Sequence, residues 1–307
     1  MGNGPVVITG ATGFIGQRLA AALLRTGRTV IALHRRASMR SLAHQERLLW
    51  TPIAEAEDAF RRHSPEAVIH LATCYGTDAD LAEVVESNVV MPLRLLKFGT
   101  STSCALFINT DTFFGKPEFH YAHMRPYIRS KDEFMRWAAL ANECGGPKLV
   151  NARLEHVYGP GDGNQKFVPM VLDKLVAHEP IELTPGDQLR DFVHVDDVTS
   201  AYLAVLDSHA RFTSGITEIG VGTGTPHSVR EFVEAAKFLV GSSSALHFGA
   251  KPHRDGEIER SAADVSRLCA LGWRPRHDLQ SGLRATLKSL GATSEGTSDT
   301  AKAGTAQ

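Results

Sequence analysis

Val6-Val7-Ile8-Thr9-Gly10-Ala11-Thr12-Gly13-Phe14-Ile15-Gly16 decides the fold class of this chain. Four apolar or β-branched residues form a strand, three glycines spaced at three form a turn, and Phe14 opens a run with helical periodicity. The glycines omit side chains where backbone must approach a pyrophosphate and where helix packs on strand. The helix start then offers unpaired N–H groups and the positive end of its dipole. The spacing is GxxGxxG, not the commoner GxGxxG. Tight strand-to-helix turns also want glycine, so position decides. These three follow the first strand of an alternating chain, and the pattern predicts that Gly10, Thr12, Gly13, Phe14, Ile15 and Gly16 line a dinucleotide.

Outward from this turn, apolar runs alternate with helical periodicity. Strands are predicted over Pro5–Thr9, Thr29–Leu33, Ala67–Ala72, Ala105–Asn109 and Lys148–Leu154. Helices are predicted over Ile15–Arg25, Ala54–His63, Leu81–Phe98 and Tyr127–Cys144. Continuous apolar strands between amphipathic helices predict an α/β fold, a Rossmann doubly wound parallel sheet. From Gly159 the pattern changes: Gly159-Pro160-Gly161-Asp162-Gly163 is turn chemistry, a helix follows over Phe167–His178, and Ile181–Thr184 is a short strand. Asp191–Val195 reads as a strand returning to the main sheet. The expected division is an NADP-binding domain over 1–158, with 190–222 returning to it, and a smaller C-terminal substrate-binding lobe over 159–290. The run 291–307 has almost nothing to bury and reads as a disordered tail.

Composition excludes several classes. Lys and Arg total 33 against 34 Asp and Glu, so neither nucleic acid nor an anionic membrane surface is an expected partner. No apolar run reaches the length of a membrane span, and no signal peptide is legible. Cys74, Cys104, Cys144 and Cys269 are far apart and form no CxxC pair, which suits a reducing, cytoplasmic setting. His120 and His123 have a metal-like spacing without a third ligand, so no metal is expected.

The second strand ends in His34-Arg35-Arg36. Sites that prefer NAD place an acid here for the adenosine ribose. An arginine pair offers charge and a bidentate fork for a 2′-phosphate instead, and the expected cofactor is NADPH. Leu71-Ala72-Thr73 is expected to run beneath it, with Cys74 as a packing residue. Downstream, Tyr127-Ile128-Arg129-Ser130-Lys131 places Tyr127 and Lys131 on one helix face. An ammonium near a phenol favours the ionised form and is expected to bring the tyrosine pKa down. Asn109-Thr110-Asp111-Thr112-Phe113-Phe114-Gly115 lies just upstream, at a strand end where an open α/β sheet presents its active site.

With Thr110 included, this set resembles the Ser/Thr–Tyr–Lys triad of short-chain dehydrogenase/reductases. The extended branch, the NAD-dependent epimerase/dehydratase family, is matched over nearly the whole chain. Thr9–Gly16 looks like its TGxxGxxG, His70-Leu71-Ala72 like its HLA, and Asn88 matches an asparagine in its fourth helix. Arg153 to Val157-Tyr158-Gly159-Pro160, Arg190-Asp191-Phe192-Val193-His194-Val195-Asp196-Asp197 and Leu271-Gly272-Trp273-Arg274-Pro275 follow in the family's order. The resemblance implies a nucleotide-diphosphate sugar substrate and catalysis by Thr110, Tyr127 and Lys131. Lys131 is implied to hold the nicotinamide ribose as well. Pairing of helices Leu81–Phe98 and Tyr127–Cys144 across a two-fold axis implies a homodimer.

Two departures narrow the reading. Dehydratases of the family carry Thr-Asp-Glu where this chain has Thr110-Asp111-Thr112, so the base for C5 is missing. Asp111 is then either a spare acid or an Asx-type turn residue. His156 replaces a common asparagine, and with the two motifs above it looks most like the branch that reduces CDP-linked 4-keto-3,6-dideoxyhexoses at C4 with NADPH. Thr112, His156, Lys166, Phe167, Val168, Arg190 and Arg254 are the substrate-side candidates, His156 also touching the cofactor; each cation among them could equally be an ordinary surface charge. Asp191, Asp196 and Asp197 read as hydrogen-bonding residues that position the second lobe. The alternatives are a redox-neutral epimerase with tightly held NAD, and a non-catalytic NADP sensor, although sensors commonly lose the tyrosine or lysine retained here.

Overall fold

A strand that is apolar at every position can be buried only if both faces of its sheet are covered. In the computed structural model, which describes residues 4–35, 46–76, 80–143 and 145–291, β1 (Val6–Thr9) is buried along its whole length. It leads through the glycine turn into α1 (Phe14–Arg25), followed by β2 (Val30–His34), β3 (Leu48–Pro52), α2 (Ala56–His63) and β4 (Ala67–His70). Next come α3 (Leu81–Val85), a π turn over Glu86–Val90, α4 (Met91–Ser101), β5 (Leu106–Thr112), α5 (Arg125–Glu143), β6 (Lys148–Leu154) and β7 (His156–Tyr158). The remainder comprises α6 (Phe167–Val176), β8 (Ile181–Leu183), β9 (Leu189–Arg190), β10 (Phe192–His194), α7 (Val195–Asp207), β11 (Ile216–Val221), β12 (His227–Ser228), α8 (Val229–Val240), β13 (Leu246–Phe248), α9 (Ser266–Ala270) and α10 (Leu279–Ser289).

Seven parallel strands form the main sheet in the order β11-β6-β5-β4-β1-β2-β3. Leu19, Leu23, Val198, Tyr202 and Leu206, from α1 and α7, cover one face. Phe60, Leu95, Leu96, Phe134 and Ala138, from α2, α4 and α5, cover the other. Strand order reverses between β1 and β4, and this switch point opens a crevice at the carboxyl ends of the strands. A separate core unites Val168, Val171 and Leu175 of α6 with Phe232 and Val233 of α8 and Leu283 and Leu287 of α10. Its small sheets pair β7 with β10, β9 with β12 and β8 with β13.

Three sequence expectations are corrected. The strand near Asp191–Val195 does not join the main sheet: β10 pairs with β7, and the edge place beside β6 belongs to β11. Ile216-Thr217-Glu218-Ile219-Gly220-Val221 alternates because the edge is half-exposed, which makes a weaker signal than a central strand. β3 was not read as a strand; its apolar run Leu48-Leu49-Trp50 is short and ends at Pro52, which suits an edge. The long helix predicted from Leu81 is interrupted by the π turn just before Pro92, a residue with no N–H to return to Asn88. Cys144 and residues 292–307 lie outside the described residues. No described helix is long and apolar enough to cross a membrane.

Candidate active site

The nucleotide end of the crevice is shaped by missing side chains. Gly10 has φ +69°, and a Cβ there would stand 2.8 Å from the backbone nitrogen of Ala72. A Cβ on Gly16 would collide with the carbonyl of Gly10. Gly13 caps α1 without any side-chain hydrogen bond, so the first turn is left to an incoming anion. Thr9 binds the turn to β4: its hydroxyl accepts from the N–H groups of Leu71 (3.2 Å) and Ala72 (3.1 Å) and meets Nδ1 of His70 at 2.8 Å. Phe14 is flanked by Arg18 and Lys166, 5.7 and 5.5 Å from its ring centre.

His34 closes β2 where an acid was lacking. It is buried, lies edge-on to Trp50, and neither ring nitrogen has a hydrogen-bond partner among the described residues. Buried polar atoms are seldom left so, and a bound ribose or phosphate at this strand end would supply partners. The residues present therefore fit a dinucleotide. Arg35 does not wait free for a phosphate: it is exposed and paired with Glu83 at 2.8 Å. Arg36 lies outside the described residues.

Asn88 stands in the π turn, and its importance was legible only as a motif position. Its Oδ1 accepts from the N–H of Cys74 (2.8 Å) and the hydroxyl of Thr73 (3.4 Å). Its Nδ2 donates to the carbonyl of Cys74 (2.7 Å) and to Oγ of Ser130 (2.9 Å). Ser130 in turn donates to the carbonyl of Tyr127 at 2.7 Å. One amide thus ties the loop after β4 to the helix that carries the tyrosine.

On α5, Tyr127 and Lys131 are buried one turn apart, with Lys131 Nζ 5.8 Å from the phenol ring centre. Nζ donates to the backbone carbonyl of Thr110 at 2.9 Å. Burial holds this lysine down at about 8, and the charge of Asp111 opposes that shift. The phenol does not follow the expectation of a lowered pKa. Burial drives it well above its ordinary value, Tyr75 adds to this, and a hydrogen bond with Thr112 works the other way. Tyr75 packs on Tyr127 with ring centres 5.0 Å apart.

The hydroxyl expected beside Tyr127 was that of Thr110, and the structure gives that hydroxyl a partner on another helix. Along β5 side chains alternate, with Leu106 and Ile108 facing α1 and α7 while Phe107 faces α5. Thr110 follows Ile108, and its Oγ1 meets the hydroxyl of Tyr202, on α7, at 2.7 Å. Thr112, two residues on at the strand end, accepts from the N–H of Phe114 at 3.4 Å and lies near enough to Tyr127 to oppose the rise of its pKa. Asp111 lies inside the strand and closes no Asx turn: its Oδ2 accepts from Nε of Arg153 and Nδ2 of Asn151, each at 3.0 Å.

The substrate-side candidates separate. His156 is half-buried between Phe113 and Phe192. Burial, helped by Arg190 and Lys166, holds it down at about 4, so it is a neutral imidazole near pH 7. Lys166 is paired with Asp162 at 2.7 Å. Phe167 is partly buried against the second core, and Val168 belongs to that core outright, so neither is a free wall residue. Arg190 is buried and paired with Glu257 (2.5 Å) and the carbonyl of Leu189 (2.9 Å). Arg254 is exposed and donates to the hydroxyl of Tyr121 at 3.1 Å. Tyr121 stacks on Phe114 at 4.8 Å, an aromatic pair with no sequence signal beyond composition. Lys116 bridges to buried Glu155 at 2.6 Å and was likewise not foreseen. Asp191 accepts from backbone N–H groups of Thr223, Gly224 and Ala263, and Asp197 from those of Arg276 and His277. Both act as positioning carboxylates, as read from the sequence.

A parallel sheet with a glycine turn at its switch point and a Tyr–Lys pair at the next strand end defines an oxidoreductase of the short-chain type, built around a nicotinamide dinucleotide. Residues 6–220 match the NAD dependent epimerase/dehydratase family, and the chain belongs to it. CDP-abequose synthase of Salmonella typhimurium is 39% identical over 93% of this chain and 98% of its own. dTDP-4-dehydro-6-deoxyglucose reductase of Escherichia coli is 25% identical over 93% and 97%. Among solved structures, UDP-glucose 4-epimerase of Thermotoga maritima superposes with a TM-score of 0.80 at 23% identity, covering 94% of this chain and 98% of that one, a likeness of fold alone. The enzyme of that name from Thermus thermophilus, in complex with NAD, gives 0.74 at 26% identity over 92% and 98%.

Proposed function

We propose that this enzyme reduces a nucleotide-activated 4-keto-deoxyhexose, CDP- or dTDP-linked, at C4 with NADPH, in deoxysugar biosynthesis. The observation that carries the reading is the end of β2, where a buried imidazole with two unpartnered nitrogens replaces the acid that favours NAD. It is joined by the 39% identity to a CDP-abequose synthase over nearly both chains. A net reductase consumes free NADPH, whereas a redox-neutral epimerase retains its NAD, so this strand end weighs against the second reading.

When bound, the cofactor supplies hydride to C4. The chain's own residues do the rest. Tyr127 donates a proton to the C4 oxygen as it becomes a hydroxyl. Thr112 hydrogen-bonds at the same point, in the place first assigned to Thr110. Lys131 holds the phenol's surroundings positive and reaches the ribose, while Asp111 sustains the lysine's charge. Gly10, Thr12, Gly13, Phe14, Ile15 and Gly16 receive the pyrophosphate, and Leu71, Ala72 and Thr73 lie beneath the nicotinamide half. His156, with Arg254 at the mouth, faces the sugar nucleotide.

The division into a cofactor domain over 1–158 with 190–222, and a substrate lobe over 159–290, belongs to this proposal. So does a homodimer. Leu81 and Val85 on α3 and Trp137 and Leu140 on α5 are each about half exposed, an apolar face that a second copy would cover. Light scattering that finds only monomer at micromolar concentration excludes it. Cys74, Cys104 and Cys269 are free thiols, as a cytoplasmic setting favours. The deciding experiment is incubation with NADPH and a panel of CDP-, dTDP- and UDP-linked 4-keto-6-deoxyhexoses and CDP-linked 4-keto-3,6-dideoxyhexoses, followed by product NMR. A C4-hydroxy product from a CDP or dTDP substrate is expected. Turnover of 4-hydroxy sugars without NADPH consumption identifies an epimerase instead.

A further inference from the structure

We propose that His194, Asp196 and His277 form a binding site for one divalent transition-metal cation, apart from the residues of the reaction. The three side chains are brought together from the end of β10, the first turn of α7 and the loop before α10. One nitrogen of each imidazole and one carboxylate oxygen all lie within 4.8 Å of one another, the one such grouping among the described residues. The two rings are in contact, their centres 4.4 Å apart. Asp196 divides its carboxylate: Oδ1 meets Arg18 at 3.3 Å, and Oδ2 is turned towards Nδ1 of His194 at 3.7 Å.

A second observation points independently to a ligand. His194 is 1% exposed; its Nδ1 accepts from the N–H of Asp196 at 3.3 Å, and among the described residues Nε2 has no hydrogen-bond partner, nor does buried Nδ1 of His277. An ion held by Nδ1 of His194 replaces that long hydrogen bond and gives Nδ1 of His277 the partner it lacks among the described residues. The backbone beneath His277 is already set, because the N–H groups of Arg276 and His277 both donate to buried Asp197 at 2.9 Å. Second-sphere anchoring of this kind holds a ligand in place before the ion arrives.

The donor set selects the ion. Two imidazoles and one carboxylate suit Zn²⁺, Co²⁺ or Ni²⁺ rather than the all-oxygen preference of Mg²⁺ or Ca²⁺. Tetrahedral zinc holds such ligands about 3.4 Å apart, so the grouping closes by side-chain rotations of about an ångström. Asp196 is 60% exposed, which provides an entry path and leaves a fourth position to water. Bound there, the ion clasps the segment before α10 to the start of α7 and competes with Arg18 for Asp196. Its effect is on stability and does not depend on which sugar the enzyme reduces.

The test uses the full-length protein, stripped with a chelator and titrated with Zn²⁺ by calorimetry. One ion per chain is expected, with a dissociation constant in the micromolar range or below. Co²⁺ at the same site should give visible bands of tetrahedral intensity. His277→Ala and Asp196→Asn should each weaken binding by about tenfold or more, while a His120→Ala/His123→Ala double variant binds as the parent does. Zinc should raise the melting temperature of the parent and leave those of the Asp196→Asn and His277→Ala proteins unchanged. No saturable uptake by the parent protein, or uptake that both His277→Ala and Asp196→Asn leave unchanged, overturns the site.

Discussion

The two ends of the crevice satisfy their polar groups in opposite ways. At the nucleotide end, α1 begins without a side-chain cap and His34 keeps two buried nitrogens without partners. On the second lobe, each described cation first offered to the diphosphate already has a protein partner: Lys166 has Asp162, Arg190 has Glu257 and Arg254 has Tyr121. The first arrangement is pre-organised, since at Gly13 and His34 no described protein partner has to be displaced by a phosphate or ribose. The second spends its charges inside the protein, so the sugar nucleotide is held there by neutral and aromatic groups, or by cations that must first change partners. Cofactor affinity should therefore respond to single residues at one end, whereas substrate affinity should be diffuse at the other.

The largest expected effect lies between the two ends. Tyr127→Phe removes one hydroxyl and leaves the ring against Tyr75, so NADPH affinity and folding should survive while turnover falls by about a hundredfold to ten-thousandfold. Thr112→Val should cost about tenfold to a thousandfold by losing the hydrogen bond at the same oxygen. Thr110→Val, which loses only the Tyr202 contact, should cost less than either. Stopped-flow turnover beside equilibrium cofactor binding separates these outcomes. Equal losses for the two threonines would break the separation of their roles beside Tyr127.

Next in size is cofactor choice. His34→Ala should weaken NADPH much more than NADH, by about tenfold if one charge-assisted contact is lost. Arg35→Ala, released from Glu83, should change the ratio little, leaving Arg36 as the other arginine able to contribute. Fluorescence titration of both dinucleotides measures this directly. If Arg35→Ala abolishes the preference and His34→Ala does not, the nucleotide end is less pre-organised than its geometry indicates.

On the second lobe, Arg190→Ala should act on stability rather than on substrate affinity. It strands Glu257 beside a buried core, at a cost of about 3 kcal/mol. The measurement is a denaturation midpoint set beside KM; a large rise in KM with unchanged stability would return Arg190 to the diphosphate.

The smallest effect is one of pH. His156 is held at about 4 in the folded protein against an ordinary 6.5. Between those values the unfolded chain binds a proton that the folded chain refuses, so stability attributable to His156 falls as pH drops from about 6.5 to 4. His156→Gln should flatten that part of a stability profile measured by urea denaturation at pH 7 and pH 5.

The sequence by itself determined the parts that rest on backbone and local periodicity. The glycine turn, the central strands, the Tyr127–Lys131 spacing and the missing acid after β2 were all legible, because each is a short-range demand of sterics, burial or helical geometry. Only the tertiary structure decided that Thr110 meets Tyr202, that Arg190 and Arg35 are paired with Glu257 and Glu83, and that β11 rather than β10 completes the sheet. These depend on partners dozens of residues away, such as Tyr202 for Thr110 and His277 for His194. Nothing in a linear pattern records which charges and hydroxyls meet once two separate cores have packed. A side chain's chemistry is written in the sequence, but its availability is set by what folding places beside it.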